Sequence, residues 1–211
     1  MNVTIIGTGR MGRALSAKLL ESGHTVSLIE HTPGKAEALV EELMSSKNGG
    51  TIEAAKTGSI PGEVVILAVP YGAIVSVIQQ YNSQLAGKIL IDITNPVNFQ
   101  TMEPLIQDGS AAEQIARLVP ANTRVVKVFN TVFAKTLPAG KVADQPLDVF
   151  IAGDDAEAKS KVVQMIEKGG MRAIDAGPLT RSRQLEGMEL LHMAIQSTYN
   201  MGYQSAIKVL V

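Results

Sequence analysis

VTIIGTGRMGRALSAKLLESGHTVSLIE, residues 3–30, decides how this chain is read. Val3–Ile6 is a short apolar run of the kind that forms a buried strand. Gly7-Thr8-Gly9-Arg10-Met11-Gly12 follows and fits the pattern G-x-G-x-x-G. Met11, Ala14, Leu15 and Leu19 then recur at helical spacing, predicting a helix over Arg13–Glu21 with one apolar face. Ser22-Gly23 stops it, and the β-branched stretch Thr25–Ile29 reads as a second strand. Strand, glycine turn, helix and strand make one βαβ unit.

The alternation continues outward from that unit. Helices are predicted at Pro33–Met44, Gly72–Leu85 and Ser110–Leu118, the last opened by a Ser110-to-Glu113 capping box. Strands are predicted at Glu63–Val69, Lys88–Ile93 and Arg124–Phe129, with a short one at Thr51–Glu53 inside the loop-rich stretch Lys47–Pro61. Near-continuous apolar strands such as Glu63–Val69 are buried on both faces, as in parallel sheets. After Val132 comes a Pro- and Gly-containing connection, Ala134–Asp148. A strand at Val149–Ala152, a helix at Ala156–Lys168 and a strand at Met171–Asp175 follow. Arg183–Val211 reads as one long helix or as two broken near Gly202. The expected class is α/β: a Rossmann-type, doubly wound, mainly parallel sheet with a C-terminal strand and helix extension. We read one domain, with a nucleotide-binding core of about 1–132 and an extension of about 133–211.

Composition narrows the function classes. Of 211 residues, 45% are hydrophobic and 18% charged, with a net charge of -1; a packed globular core is expected, and a nucleic-acid partner is not. Cysteine is absent, which excludes disulfides, thiolate catalysis and Cys-ligated metal centres. His24, His31 and His192 are too scattered for a metal site. No apolar run has the length of a membrane span, and the first residues lack the pattern of a signal peptide. The expectation is a soluble, cytoplasmic protein.

The glycine motif carries chemistry because of its setting. In G-x-G-x-x-G, Gly7 permits the tight turn, Gly9 lets a pyrophosphate approach the backbone, and Gly12 lets helix and strand pack closely. Exposed N–H groups and the helix dipole favour the phosphate charge. The chain is therefore expected to bind a nicotinamide dinucleotide. Arg10 either contacts a phosphate or the adenine face, or is a solvated side chain. Glu30 ends the second strand, where a carboxylate usually accepts hydrogen bonds from the ribose hydroxyls and favours NAD. If Glu30 turns away, His31, Thr32 and Lys35 can hold the 2′-phosphate of NADP; Lys35 is otherwise a solvated first-turn residue. NAD and NADP both stay open. Three further segments end strands: Ala68-Val69-Pro70-Tyr71, Ile93-Thr94-Asn95-Pro96-Val97-Asn98 and Phe129-Asn130-Thr131. They either orient a nicotinamide and a substrate or simply make turns. No strand end carries an obvious acid–base His or Lys, and His192 reads as structural or pocket-lining. An acceptor with its own chemistry, such as a flavin, needs little else from side chains.

With these residues assembled, the chain resembles the F420-dependent NADP reductases, and the N-terminal oxidoreductase domains of the STEAP metalloreductases are similar. The carriers are GTGRMG at 7–12, LAVPYGA at 67–73, DITNPVN at 92–98, VVKVFNT at 125–131 and DAGPLTRSRQLE at 175–186. The resemblance implies that Thr8, Gly9, Arg10 and Met11 face the pyrophosphate and that Val69, Pro70 and Tyr71 run beneath ribose and pyrophosphate. It also implies that Asn95, Pro96, Asn130 and Thr131 border the nicotinamide and second substrate. The family's Ser-Arg after the second strand is Glu30-His31 here, while Lys35 keeps a basic position. The implied activity is hydride transfer between NAD(P)H and a flavin-like, deazaflavin or other small acceptor, in a homodimer. A nicotinamide-dependent redox sensor without turnover is the alternative.

Overall fold

A computed structural model describes residues 1–45, 49–56 and 58–210. Lys47, at the start of the loop-rich stretch, and Val211, at the end of the helical tail as read from sequence, lie outside the described residues. The glycine motif sits between β1 (Asn2–Ile6) and α1 (Arg10–Glu21), and β2 (Thr25–Ile29) completes the βαβ unit. Then come α2 (Lys35–Met44), β3 (Thr51–Ala54), β4 (Val64–Leu67), α3 (Ile74–Leu85), β5 (Ile89–Asp92), α4 (Ala111–Leu118) and β8 (Arg124–Val128). Between β5 and α4 lies a small hairpin, β6 (Val97–Asn98) with β7 (Glu103–Pro104). A second hairpin, β9 (Lys141–Val142) with β10 (Gln145–Pro146), lies in the connection after β8. The chain ends with β11 (Asp148–Gly153), α5 (Ala156–Lys168), β12 (Arg172–Gly177) and α6 (Ser182–Thr198).

Eight strands form one sheet in the order β12-β11-β8-β5-β4-β1-β2-β3. The six on the β3 side run parallel in the dinucleotide-binding order, and β11 joins antiparallel to β8 with β12 parallel to β11. The order reverses between β1 and β4, and open sheets of this kind bind ligands beyond the strand ends at that switch point. Alternate side chains serve opposite faces. Ile5, Ile66, Ile91 and Val126 pack with Leu15, Leu39 and Val162 on one side. Ile6, Leu67 and Leu90 pack with Ile78, Leu85 and Ile115 on the other. Leu185 of α6 covers Phe150 and Ala152 on that second side.

Two sequence expectations change. Both hairpins are too short for a periodic signal and were not foreseen. The helical tail is a single helix that stops at Thr198; from Met201 to residue 210 the chain is non-helical and folds back along the protein. Its Lys208 Nζ and Val209 N–H donate to Asp148 at 2.9 and 2.8 Å. Tertiary hydrogen bonds, rather than helical ones, satisfy the last segment. Ser110 Oγ accepts from Glu113 N–H at 3.2 Å, as the capping box predicts. Among the described residues no helix is long and apolar enough to cross a membrane.

Candidate functional site

The glycine motif lies at the centre of the site, and its three glycines face different surroundings. Gly7 has φ +107°, and a Cβ there would stand 2.3 Å from the Ala68 carbonyl oxygen. A Cβ on Gly12 would stand 2.0 Å from the Gly7 carbonyl oxygen, so helix and turn touch through it. A Cβ on Gly9 would meet nothing within 4 Å among the described residues. Gly9 caps α1 without a side-chain hydrogen bond, and the first turn carries no acidic residue. Among the described residues the first N–H groups of this helix have no hydrogen-bond partner, and the space beside Gly9 is open, which is an anion-binding arrangement.

Two cavities flank that helix end. The first has a volume of about 740 Å³. Gly7, Thr8, Gly9, Glu30, His31, Lys35, Val69 and Pro70 line it, all of them singled out from sequence. Arg13, missed from sequence, lines it too and pairs with Glu42. The second cavity, about 390 Å³, has Arg10, Met11, Asn95 and Asn130 in its wall. The rest of that wall is largely aromatic and methionine, with Phe99, Met102, Phe133, Met193 and Tyr203 beside Lys135 and Glu189. Thus the motif straddles the two: Thr8 and Gly9 face one cavity, Arg10 and Met11 the other.

Four predicted residues lie on neither wall. Gly12 is buried beneath the turn. Tyr71 donates its hydroxyl to Gln114 Oε1 at 2.6 Å, and burial pushes its pKa up, with Glu186 adding to the effect. The Pro96 carbonyl accepts from Leu105 N–H at 2.7 Å, at the open end of the β6–β7 hairpin. Thr131 is buried beside the second cavity's wall residue Asn130.

Glu30 is turned inward, its side chain only 11% exposed. Oε2 accepts from Thr8 N–H at 3.2 Å and Thr8 Oγ1 at 2.9 Å. Oε1 accepts from His31 N–H at 3.0 Å and Thr32 N–H at 3.3 Å. Burial raises this carboxyl's pKa, but the donors from Thr8, Thr32 and His31 outweigh it and hold the value below the usual carboxylate range. These donors fill most of its acceptor sites. His31 and Lys35 meanwhile stand exposed on the rim.

Beneath the strand ends lies a buried ionic network that sequence reasoning missed. Lys127 Nζ, fully buried, donates to Asp92 Oδ2 at 2.8 Å, Glu186 Oε1 at 2.7 Å and the Thr94 carbonyl at 2.5 Å. Asp92 Oδ1 in turn accepts from Thr94 N–H and Oγ1. Glu186 also accepts from Ala111 N–H at the start of α4. Burial pushes the Glu186 carboxyl up, against the pull of Lys127. The lysine inside the apolar run Val125–Val128 is the signal that marked it. The network braces β5, β8, α4 and α6 around a reciprocal pair: Asn95 Nδ2 donates to the Asn130 carbonyl at 2.8 Å and Asn130 Nδ2 to Asn95 Oδ1 at 3.0 Å. Phe129, just before, takes φ +61°, a conformation that costs about 1–3 kcal/mol and persists only where packing enforces it. Asn130 Oδ1 and Thr131 Oγ1 are buried without a hydrogen-bond partner among the described residues.

Comparisons with known proteins agree with this fold. Residues 2–96 match the family model described as NADP oxidoreductase, coenzyme F420-dependent. The chain is 30% identical over 202 residues to the F420-dependent NADP reductase of Methanothermobacter marburgensis, covering 88% of each. It is 35% identical over 191 residues to the metalloreductase STEAP3 of Rattus norvegicus, spanning 89% of this chain and only 36% of that protein. A solved structure from Arthrobacter sp. FB24, assigned as an F420-dependent NADP-reductase, superposes with a TM-score of 0.82 at 28% identity over the whole of both chains. With its Rossmann-type sheet, open helix N-terminus and relatives that align along most of its length, the chain belongs to the F420-dependent NADP oxidoreductase family and is an NAD(P)-dependent oxidoreductase.

Proposed function

We propose that the chain moves hydride between NAD(P)H and a flavin-like, deazaflavin or other small acceptor. The cofactor lies along the first cavity and the acceptor enters the second. The observation that carries this reading is the position of the open α1 N-terminus between two cavities. The first cavity has the size of a ligand pocket, and the second sits at the small end of the same ~300–1,000 Å³ range.

In this reading the pyrophosphate rests on the backbone of Thr8, Gly9, Arg10 and Met11, with Val69, Pro70 and Tyr71 beneath. Glu30 serves by fixing Thr8, and His31 and Lys35 meet a 2′-phosphate. That arrangement favours NADP, because the Glu30 carboxylate is already saturated by the protein. Asn95, Pro96, Asn130 and Thr131 border the nicotinamide. Asn95 and Asn130, in the wall of the second cavity, carry amide groups that both donate and accept, as a carboxamide needs.

When bound, the nicotinamide supplies hydride across roughly 3–3.5 Å to the acceptor. The chain's own residues position the two rings and exclude water. The test is to mix the protein with NADPH or NADH and FMN, riboflavin or a deazaflavin, and to follow the absorbance of the reduced nicotinamide. Turnover with at least one acceptor is expected. Tight cofactor binding with no turnover on any acceptor refutes the reading in favour of a redox-sensing module.

A further inference from the structure

Beyond Leu185, helix α6 buries a mostly polar face. Its apolar Leu191 is exposed and Met188 and Ile195 are half-buried, whereas Ser182, Glu186, Glu189, His192 and Gln196 form a buried stripe at helical spacing. A helix that buries its polar face breaks the usual amphipathic rule, and such breaks concentrate at functional sites. Lys127 explains Glu186. Nothing in the hydride-transfer geometry explains Glu189 and His192.

Glu189 is 1% exposed and contributes to the wall of the second cavity. Its Oε2 lies 3.1 Å from His192 Nδ1, while Oε1 takes no hydrogen bond among the described residues. His192 Nε2 lies 2.9 Å from Ser205 Oγ, on the half-buried tail. Gln196 Nε2 donates to the same Oγ at 2.9 Å, and Phe133 packs on the imidazole with ring centroids 4.5 Å apart. Three groups that exchange protons thus run in hydrogen-bond contact from cavity wall to protein surface.

We propose that Glu189, His192 and Ser205 form a proton relay serving the acceptor in this cavity, an inference that rests on the hydride-transfer reading. Hydride brings two electrons and one hydrogen to a flavin-class ring, whose neutral reduced form needs one further proton. Glu189 gives that proton: its carboxylic O–H bond breaks and an N–H bond forms on the ring. The carboxylate then takes a proton from His192 Nδ1, and the imidazole recovers one at Nε2 from solvent through the Ser205 hydroxyl. One proton is consumed per NAD(P)H oxidised. Burial raises the Glu189 pKa, against the opposing pull of His192, which favours the protonated donor. The other charged groups facing the cavity are Arg10 on α1 and Lys135 after β8, with titratable Tyr203 on the tail. Glu186, one turn back on α6, is paired with Lys127.

The test uses Glu189→Gln, which keeps the shape, and Ser205→Ala. Single-turnover flavin reduction is followed against pH, with nicotinamide affinity measured alongside. Glu189→Gln is expected to slow it about 100- to 10,000-fold with unchanged nicotinamide affinity. Ser205→Ala is expected to shift the pH profile. His192→Gln provides a second variant should Glu189→Gln fail to fold. A wild-type rate and pH profile in Glu189→Gln overturns the relay alone. A wild-type protein that binds nicotinamide but reduces no flavin overturns both the acceptor reading and the relay.

Discussion

Replacing Gly9 by valine separates ligand binding from folding more cleanly than any other change in this chain. Gly9 has φ -65° and ψ -172°, which any L-residue adopts, and a Cβ there meets no protein atom within 4 Å. The folded state therefore loses little: valine is a poorer N-cap than glycine, costing about 1 kcal/mol. For a chain of this size that lowers Tm by about 2–4 °C. The side chain instead fills the space in which a pyrophosphate would rest on α1. Losing two charge-assisted hydrogen bonds at about 1.5–3 kcal/mol each weakens binding by about 3–6 kcal/mol. At 1.4 kcal/mol per decade that is roughly 100- to 10,000-fold in Kd. The chain has no tryptophan, so NADPH fluorescence is a clean titration signal, with a thermal melt run alongside. Gly7→Ala and Gly12→Val give the contrast. Their new side chains strike backbone at 2.3 and 2.0 Å, and Gly7 also has a positive φ. Strain and overpacking together should cost at least about 3 kcal/mol and lower Tm sharply. A folded Gly9→Val that binds NADPH within threefold of wild type refutes the assignment of this space to the pyrophosphate.

Glu30→Ser removes the carboxylate that fixes Thr8 and leaves the His31–Lys35 rim in place; NADPH and NADH affinities should both fall about tenfold, the worth of one charged hydrogen bond of ~1.5 kcal/mol, with their ratio held within about threefold. A fluorescence-derived ratio shifted tenfold or more toward NADPH refutes that placement. Lys127→Met leaves Asp92 and Glu186 without their buried cation and should cost about 3–5 kcal/mol in urea unfolding. Adding Asp92→Asn and Glu186→Gln should recover part of it, and a loss below about 1 kcal/mol for the single change would show that the network is not a closed charge system. Burial holds the His24 imidazole down at about 4, with Lys168 contributing in the same direction. The unfolded chain takes up that proton near 6.5, so stability from this group is complete above pH 6.5 and is lost as pH falls toward 4. His24→Leu should flatten that decline in unfolding midpoints measured across the window, and an unaltered slope counts against it.

Residues 3–30 alone determined the first βαβ unit, because strand periodicity, glycine spacing and helix amphipathicity are local and reinforce one another. The same locality made most strand and helix positions readable, and Ala156–Lys168 matches to the residue. The two short hairpins and the non-helical tail escaped because their hydrogen bonds are tertiary or too few to leave a period. The rim of the first cavity was legible, since each of its predicted members follows a strand end by a fixed offset. What only the tertiary structure decided is where charge goes. Glu30 turns inward because Thr8 and two backbone N–H groups converge on it from across the turn. Lys127 finds Glu186 across 59 positions of sequence, and the polar stripe of α6 lies inward because cavity and tail face it. No periodicity encodes those meetings; they arise only when distant segments share one low-dielectric interior, where an unpaired charge is too costly to leave.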